Sequence, residues 1–447
     1  MTHEMRDPEV LIDSLIAAGE GLRARPVDEL IEKIGRVGAR FLDPTDPLAI
    51  EAQARIPDEA GLSPQMTEVV LRGVAREWTR DRLDTLVTAD FPDRRVLDAF
   101  ADAPGGGRFR ALGGRFALHI GAGNVPGVGA TSLLLSLLVK TPVLLKPGRG
   151  DRVLPELFLR GLAGEDAQLA RAAAVTYWAH GEGGALEEAA IQRAERVVVY
   201  GGFEIIDRLR TRTPPTTPFV AYGHRISMGA VTREVLDSQE QLRVTVREAA
   251  RAIALFDRRG CVSPQILWVE EGGDASPLDF AEHLAQELAG LDAELPPGPL
   301  DPATAAEILH QRSTAELRSA AGSGERIFVG EGGRWTLFFE PEGVASVLCG
   351  GRTIRVCPIR ALEGLNGERE SPLVPFRGML QTMALSASPA RWTSLAEHFA
   401  SEGFTRITTF TEQPFPPAWW RHDGEGPLRA LVTWVELTPP PAAQTSR

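Results

Sequence analysis

Between Phe116 and Tyr200 short apolar runs alternate with helix-length stretches, and this alternation narrows the fold more than any other feature of the chain. Phe116 to Gly121 reads as a strand, Val128 to Leu138 as a helix, Pro142 to Lys146 as a strand, Leu154 to Gly161 as a helix and Arg196 to Tyr200 as a strand. Strands joined through helices run parallel, because each crossover returns the chain to the same end of the sheet before the next strand begins. The expected fold class is therefore α/β.

The 447 residues exceed what one ordinary core accommodates, so at least two domains are expected. Residues 1 to about 100 carry apolar positions at helical spacing, such as Leu11, Leu15 and Ile16, then Leu30, Ile31 and Ile34, and predict a helical lead-in. Ala103-Pro104-Gly105-Gly106-Gly107 reads as a flexible break, and Phe109 to Leu118, with Gly113-Gly114 between two β-like runs, as a hairpin or extended arm. Farther on, Leu242, Val246, Ala249, Ala250, Ile253 and Phe256 mark one face of an amphipathic helix that ends just before Cys261. Ile266 to Val269 then restarts a strand and Pro277 to Leu288 a helix, Glu294 to Pro302 is a proline-rich connector, and Ala430 to Leu437 is a strand ahead of a tail expected to be disordered. The division expected is a lead-in and dinucleotide-binding domain over 1–230, a cysteine domain over 231–420, and a C-terminal strand and tail over 421–447.

A net charge of −12 rules out a global basic field for nucleic acid, so a phosphate-bearing ligand needs a local basic site. Cys261, Cys349 and Cys357 show neither CxxC nor Cys/His spacing, which indicates no disulfide framework and no metal site and fits a reduced, cytoplasmic setting. The segment from Met1 to Glu9 lacks the apolar run of a signal peptide. Val125 to Leu145 is broken by Pro126, Lys140 and Pro142 and is not a membrane span of about 20 uniformly apolar residues.

Four segments carry candidate chemistry. In Leu118-His119-Ile120-Gly121-Ala122-Gly123-Asn124-Val125-Pro126-Gly127 the glycines either admit a ligand close to the backbone at a strand's carboxyl end or simply make a tight turn. In Lys146-Pro147-Gly148-Arg149 the two cations stand where a dinucleotide site usually has a ribose-binding acid; they suit a 2′-phosphate, unless they form a solvated basic turn. Tyr200-Gly201-Gly202-Phe203 leads from a strand into a helix and offers backbone amides to a phosphate or ribose, or is a plain turn. In Arg259-Gly260-Cys261-Val262-Ser263-Pro264 the cysteine is either a buried small hydrophobe or a nucleophile; it follows a glycine in a polar loop, with Arg258 and Arg259 nearby to favour thiolate and a preceding helix C-terminus to oppose it, whereas Cys349 and Cys357 sit in apolar runs and read as packing residues.

In this order and at these separations the four segments resemble the aldehyde dehydrogenase superfamily, and most closely its bioluminescence-type (LuxC-type) fatty acyl-CoA reductases, over roughly 110 to 437. Asn124 and Pro126 match the oxyanion-site Asn and Pro, Lys146-Pro147 the adenosine-pocket pair, Gly201-Gly202 the turn near the nicotinamide, and Arg259-Gly260-Cys261 with Val-Ser-Pro-Gln the nucleophile loop of the reductase branch. The resemblance implies a Rossmann-type cofactor domain and an α/β catalytic domain. It also implies that Gly121, Ala122, Gly123, Lys146, Pro147, Gly148, Arg149, Gly201, Gly202, Phe203 and Gly223 bind the cofactor and that Cys261 and Asn124 are catalytic, with no metal.

Two departures refine this. Where related aldehyde oxidisers carry a water-activating glutamate, this chain reads Ala221-Tyr222-Gly223-His224-Arg225, with Ala221 at the glutamate position. Hydrolysis of an acyl-enzyme should then be slow, and a thiol such as CoA becomes the exchange partner. His224 is either a replacement acid or base or a satisfied structural histidine. Arg149 stands where NAD-preferring relatives have an acid, which favours NADPH, with NADH the alternative. The mechanism implied is attack of Cys261 on an acyl-CoA, stabilisation of the oxyanion by Asn124 and the Cys261 N–H, loss of CoA, hydride transfer and release of aldehyde. Association as a homodimer through the arm at 105–118 and the strand at 430–437, or with acyl-activating partner proteins, is expected, and neither nucleic acid nor a membrane span. The rival readings are an aldehyde oxidiser and a noncatalytic acyl-binding subunit.

Overall fold

The computed structural model describes residues 7–102, 106–343, 350–366 and 371–438; Cys349, the first residues of the expected break and the expected C-terminal tail lie outside them. These residues fall into two compact units. The first takes in residues up to Arg55, Leu71–Gly223 and the chain from Pro417 on, and the second takes in Ile56–Val70 and His224–Pro416.

In the first unit the helical lead-in forms Pro8–Arg23, Val27–Arg40 and, farther on, Arg80–Asp90. Leu30, Ile31, Ile34 and Val37 make the buried face of Val27–Arg40, and Asp28 and Glu29 at its start with Arg40 at its end complement the helix dipole. The centre of the unit is a five-stranded sheet in the order Ala173–Val175, Val143–Lys146, Ala117–Ile120, Arg196–Tyr200, Phe219–Tyr222, and every neighbouring pair is parallel. Ala117–Ile120, first of these in the chain, lies in the middle, so the chain leaves it toward Val143–Lys146 and later returns to its other side with Arg196–Tyr200. That reversal opens a crevice at the strands' carboxyl ends, the usual ligand site of an open parallel sheet.

The run from Phe109 to Leu118 is an extended arm and not a hairpin. Arg108–Gly113 pairs antiparallel with Ala101–Asp102 on one side and with Val432–Leu437 on the other, while Ala117–Ile120 enters the parallel sheet. Arm and C-terminal strand thus pair with each other within one chain, Gly113 opposite Val432 through Arg108 opposite Leu437.

The second unit holds seven strands in the order Arg326–Val329, Trp335–Phe339, Arg352–Ile359, Pro264–Glu270, Ile226–Val231, Leu380–Ser386, Arg406–Thr408. Only the first pair is antiparallel. Pro264–Glu270 is buried at every position, as a central strand covered on both faces must be. One apolar cluster joins the sheet to the helices Gln239–Ala254 and Pro277–Glu294 through Val246, Ile253, Phe280 and Leu284, and another holds Phe376, Leu395 and Phe399. The stripe expected from Leu242 to Phe256 is, as far as Ile253, the buried face of Gln239–Ala254, whose start is capped by Ser238 accepting from the Gln241 N–H; the helix stops at Ala254, and Phe256, at φ 58°, lies beyond it. Among the described residues no helix is long and apolar enough to cross a membrane.

Candidate functional site

The candidate residues of the first unit gather at the carboxyl ends of its parallel strands, but the glycine turns there do different work. The Gly121 N–H donates to the Lys146 carbonyl at 2.7 Å, tying the ends of two neighbouring strands together. A Cβ on Gly148 would stand 2.2 Å from Ala122 C and Gly123 N, and one on Gly123 would stand 2.8 Å from the amide nitrogens of Arg149 and Gly150. Gly123 and Gly148 are therefore required by backbone packed on backbone. Beyond them, buried Asp151 accepts hydrogen bonds from the N–H groups of Gly127 (2.7 Å) and Gly129 (2.6 Å). Gly127 caps the helix Val128–Leu138 with φ 100°, so a carboxylate already fills that helix N-terminus.

The turn after Arg196–Tyr200 is different. Gly202 caps the helix Phe203–Arg212 without a side-chain hydrogen bond, and a Cβ placed on it would meet nothing within 4 Å. The space beside Gly202 at this helix's start is open, with Phe203 half exposed there and Gly223 close against its ring. Two strands away, at the end of Val143–Lys146, Lys146 is half-buried, and that burial pulls its ammonium below the ordinary lysine value. Its Nζ lies 5.6 Å from the centre of the Tyr177 ring, and the Arg152 guanidinium covers the same ring at 4.9 Å. Pro147 is buried, whereas Arg149 and Asn124 are exposed. A capless helix N-terminus and, farther along the same sheet edge, an aromatic ring flanked by two cations fit the phosphates and adenosine of a dinucleotide.

The C-terminal segment also reaches this sheet. Tyr200, Tyr222, His422 and Trp420 form a continuous stack with successive ring centroids 4.6, 4.3 and 4.5 Å apart. Burial, first of all, pushes the Tyr222 phenol well above its ordinary value. Ala221 is half-buried in the strand Phe219–Tyr222, opposite Val199.

In the second unit Cys261 follows a strained approach. Phe256, Asp257 and Arg258 take φ of 58°, 48° and 58°, three consecutive left-handed non-glycine residues that would not persist without tertiary anchors. Asp257, buried, accepts from the Gly298 N–H (3.0 Å) and the Arg352 Nε (2.9 Å). Arg258 donates to the Gly351 carbonyl (3.2 Å) and Thr353 Oγ1 (3.0 Å), and Arg259 to the carbonyls of Ala60 and Gly61 (2.5 and 2.9 Å). The Ser227 hydroxyl then donates to the Cys261 carbonyl at 2.7 Å. The Cys261 thiol is partly open, while Cys357 is buried in Arg352–Ile359. His224 is exposed and has no hydrogen-bond partner among the described residues, which is not how a satisfied structural histidine sits. Among the described residues no group of His, Cys, Asp or Glu is arranged to hold a metal ion.

Residues 22–434 match the family described as Acyl-CoA reductase (LuxC). The chain belongs to that acyl-CoA reductase family. A relative from Photobacterium leiognathi, called long-chain acyl-protein thioester reductase 2, is 24% identical over 367 residues, covering 80% of this chain and 71% of its own. Among solved structures, aldehyde dehydrogenase 21 from Physcomitrella patens superposes with a TM-score of 0.74 at 11% identity over 98% of this chain and 91% of its own. Proline utilization A gives 0.71 at 15% identity over 97% of this chain, which spans only 45% of that longer protein. The fold is that of the aldehyde dehydrogenases, as the resemblance implied.

In this member of the family the structure gathers Gly121, Ala122, Gly123, Lys146, Pro147, Gly148, Arg149, Gly201, Gly202 and Phe203 at one edge of the first unit's sheet, and sets Cys261 at the entrance to a central strand of the second unit. Sequence reasoning missed Asp151, Tyr177, Trp420 and His422. Tyr177 follows a strand of only three residues, Ala173–Val175, too short to show a period, and the other three act through contacts with residues distant in the chain.

Proposed function

We propose that this protein reduces an acyl thioester to an aldehyde through an acyl group carried on Cys261, with NADPH as the reductant. The observation that carries the reading is the coexistence of a partly open thiol at Cys261 with an alanine, Ala221, where related oxidisers hold their water-activating acid. The Cys261 thiolate attacks the thioester carbonyl, the Asn124 amide and the Cys261 N–H hold the oxyanion, and the bond to the departing thiol breaks. A nicotinamide, when bound by the first unit, would supply the hydride. Loss of the Cys261 sulfur from the reduced carbon then frees the aldehyde and regenerates the thiolate. Without an acid at position 221 no side chain there activates water, so the acyl group persists until it is reduced or returned to a thiol. Exposed His224 supplies or accepts a proton at this stage.

Gly201, Gly202 and Phe203 offer amides to the pyrophosphate, and Lys146 and Arg152 over Tyr177, with exposed Arg149, give a 2′-phosphate its cationic surroundings. Among donors, coenzyme A is the one in the family's description, whereas the Photobacterium relative is named for an acyl-protein thioester. A homodimer is part of the same reading, and the outer edge of Val432–Leu437, with Trp434 and Leu437 exposed, offers it an unpaired strand.

The deciding experiment follows acyl labelling and cofactor oxidation with acyl-CoA and with acyl-protein, in NADPH and in NADH. The wild-type chain should take up label without cofactor and release aldehyde when NADPH is added, with NADH slower. Cys261→Ala should do neither; retention of label or of NADPH oxidation would refute the nucleophile.

A further inference from the structure

Cys261 sits in a turn whose two ends are pinned. Ahead of it, buried Asp257 is held by the Gly298 N–H and by Arg352, while Arg258 and Arg259 are tied to the carbonyls of Gly351, Ala60 and Gly61. Behind it, Pro264 opens a strand that is buried at every position. The turn itself is closed by the Ser263 N–H, which donates to the Gly260 carbonyl at 3.0 Å, so Cys261 and Val262 are its two central residues. One freedom is left: the peptide between the central residues can rotate about its flanking bonds while every Cα stays in place. β-Branched Val262 resists the complete flip, which would demand a positive φ there, but not a partial rotation. The Cys261 side chain follows such a rotation, because the rotamers open to it depend on its own backbone angles.

One enclosed hydroxyl takes up this freedom. Ser227, fully buried, donates to the Cys261 carbonyl at 2.7 Å and accepts from the Thr382 N–H at 3.3 Å. The Thr382 N–H can only donate, so the single Ser227 proton is left for the Cys261 carbonyl. The serine stands where the sheet is irregular on both sides. Ser227 pairs with Pro264 but Met228 with Ile266, so Gln265 is an extra residue on that strand; Ile226 pairs with Leu380 but Met228 with Met383, so Gln381 and Thr382 stand against Ser227 alone. Bulges recur beside active sites, where they re-aim the chain. We infer that Ser227 is a positioning residue for the nucleophile: it fixes the direction of the Cys261 carbonyl and, through it, the direction from which the Cys261 sulfur meets a thioester. The role rests on reading Cys261 as the nucleophile. No window of sequence around the cysteine contains this donor, which lies 34 residues upstream and arrives on the neighbouring strand.

The test compares two reactions of the same sulfur in the whole chain without cofactor, both read on the Cys261 peptide by mass mapping. Acylation by a thioester, acyl-CoA or acyl-protein according to which labels the wild type, demands a fixed direction of attack; alkylation by iodoacetamide, which approaches freely, demands only an accessible thiolate. Ser227→Ala should slow acylation about tenfold, less than the roughly hundredfold cost of a full 1 Å misplacement, while alkylation at the same pH stays within about threefold of wild type. Ser227→Thr, which keeps the hydroxyl, should acylate within about threefold of wild type. Unchanged acylation in Ser227→Ala overturns the proposal, as do equal losses in both reactions, the mark of a loosened loop, and a folded Ser227→Thr as slow as the alanine variant. Should Ser227→Ala fail to fold, Ser227→Cys keeps the volume with a much weaker donor, and the same split between the two reactions is required of it. A wild-type chain that takes no acyl label on Cys261 overturns the nucleophile reading and this role with it, whereas label in the wild type, undiminished in Ser227→Ala, overturns the role alone.

Discussion

At Ala221 a methyl group occupies a strand position, opposite Val199, at which oxidisers resembling this chain carry a carboxylate. The site is half-buried, so a longer side chain has somewhere to go. Ala221→Glu is expected to divert acyl groups from Cys261 to water, raising free acid from an acyl thioester by about tenfold without cofactor, at the low end of general-base contributions because the position was not shaped for it. Separating acid from aldehyde by chromatography measures the partition, and an unchanged ratio would mean that water is excluded by something other than the missing acid. At this scale the sequence was informative wherever a residue's neighbours along the chain define it: Cys261 after Gly260, Lys146 before Pro147. It was silent on Asp151 and Tyr177, each of which acts on a residue brought near only by the fold.

The element that most rigidly anchors the second unit's sheet is the carboxyl end of Pro264–Glu270. Buried Glu270 accepts from the N–H groups of Arg233 (3.0 Å) and Leu362 (2.8 Å) and from both terminal nitrogens of Arg391 (2.7 and 2.8 Å), joining four segments around one carboxylate. Burial alone would raise this carboxyl, but the Arg391 and backbone hydrogen bonds prevail and hold it at about 2, against an ordinary 4.5. Its contribution is therefore complete above about pH 4.5 and is lost as the pH falls toward 2, because only the unfolded chain binds the proton in that window. The shift corresponds to about 3 kcal/mol. Glu270→Gln should be less stable than wild type by about 2–3 kcal/mol at pH 7, with the gap narrowing by roughly 1 kcal/mol by pH 4. Denaturant midpoints at pH 7, 5 and 4 check this, and a gap that does not change with pH removes the carboxylate's charge from the explanation. Long elements were legible: Gln239–Ala254 from its stripe and Val143–Lys146 from its apolar run. Ala173–Val175 and Phe219–Tyr222, which complete the cofactor sheet, were not, since three or four residues carry too little period to separate a strand from a loop.

For the molecule as a whole, a net charge of −12 repels every anionic ligand at long range, while the proposed cofactor site sets Lys146, Arg149 and Arg152 to attract phosphates at short range. An acidic acyl-protein presents many charges to the first effect and few to the second; acyl-CoA does the reverse. The kcat/KM for an acidic acyl-protein donor should accordingly rise about two- to threefold between low and physiological ionic strength, whereas that for acyl-CoA should stay level or fall. Stopped-flow or steady-state rates across a salt series test this. A fall with salt for the protein donor would reveal a local basic face that reverses the overall charge.

The sequence by itself determined the parallel α/β class, the helical lead-in, the order of the four glycine, lysine and cysteine segments, and the family they resemble, because all of these are written in residue spacing along the chain. Only the tertiary structure decided which glycine turns are closed by backbone packed on backbone and that the arm and the C-terminal strand pair with each other. Those outcomes depend on strand register and on the direction in which each side chain leaves the sheet, and neither is fixed until distant segments have packed.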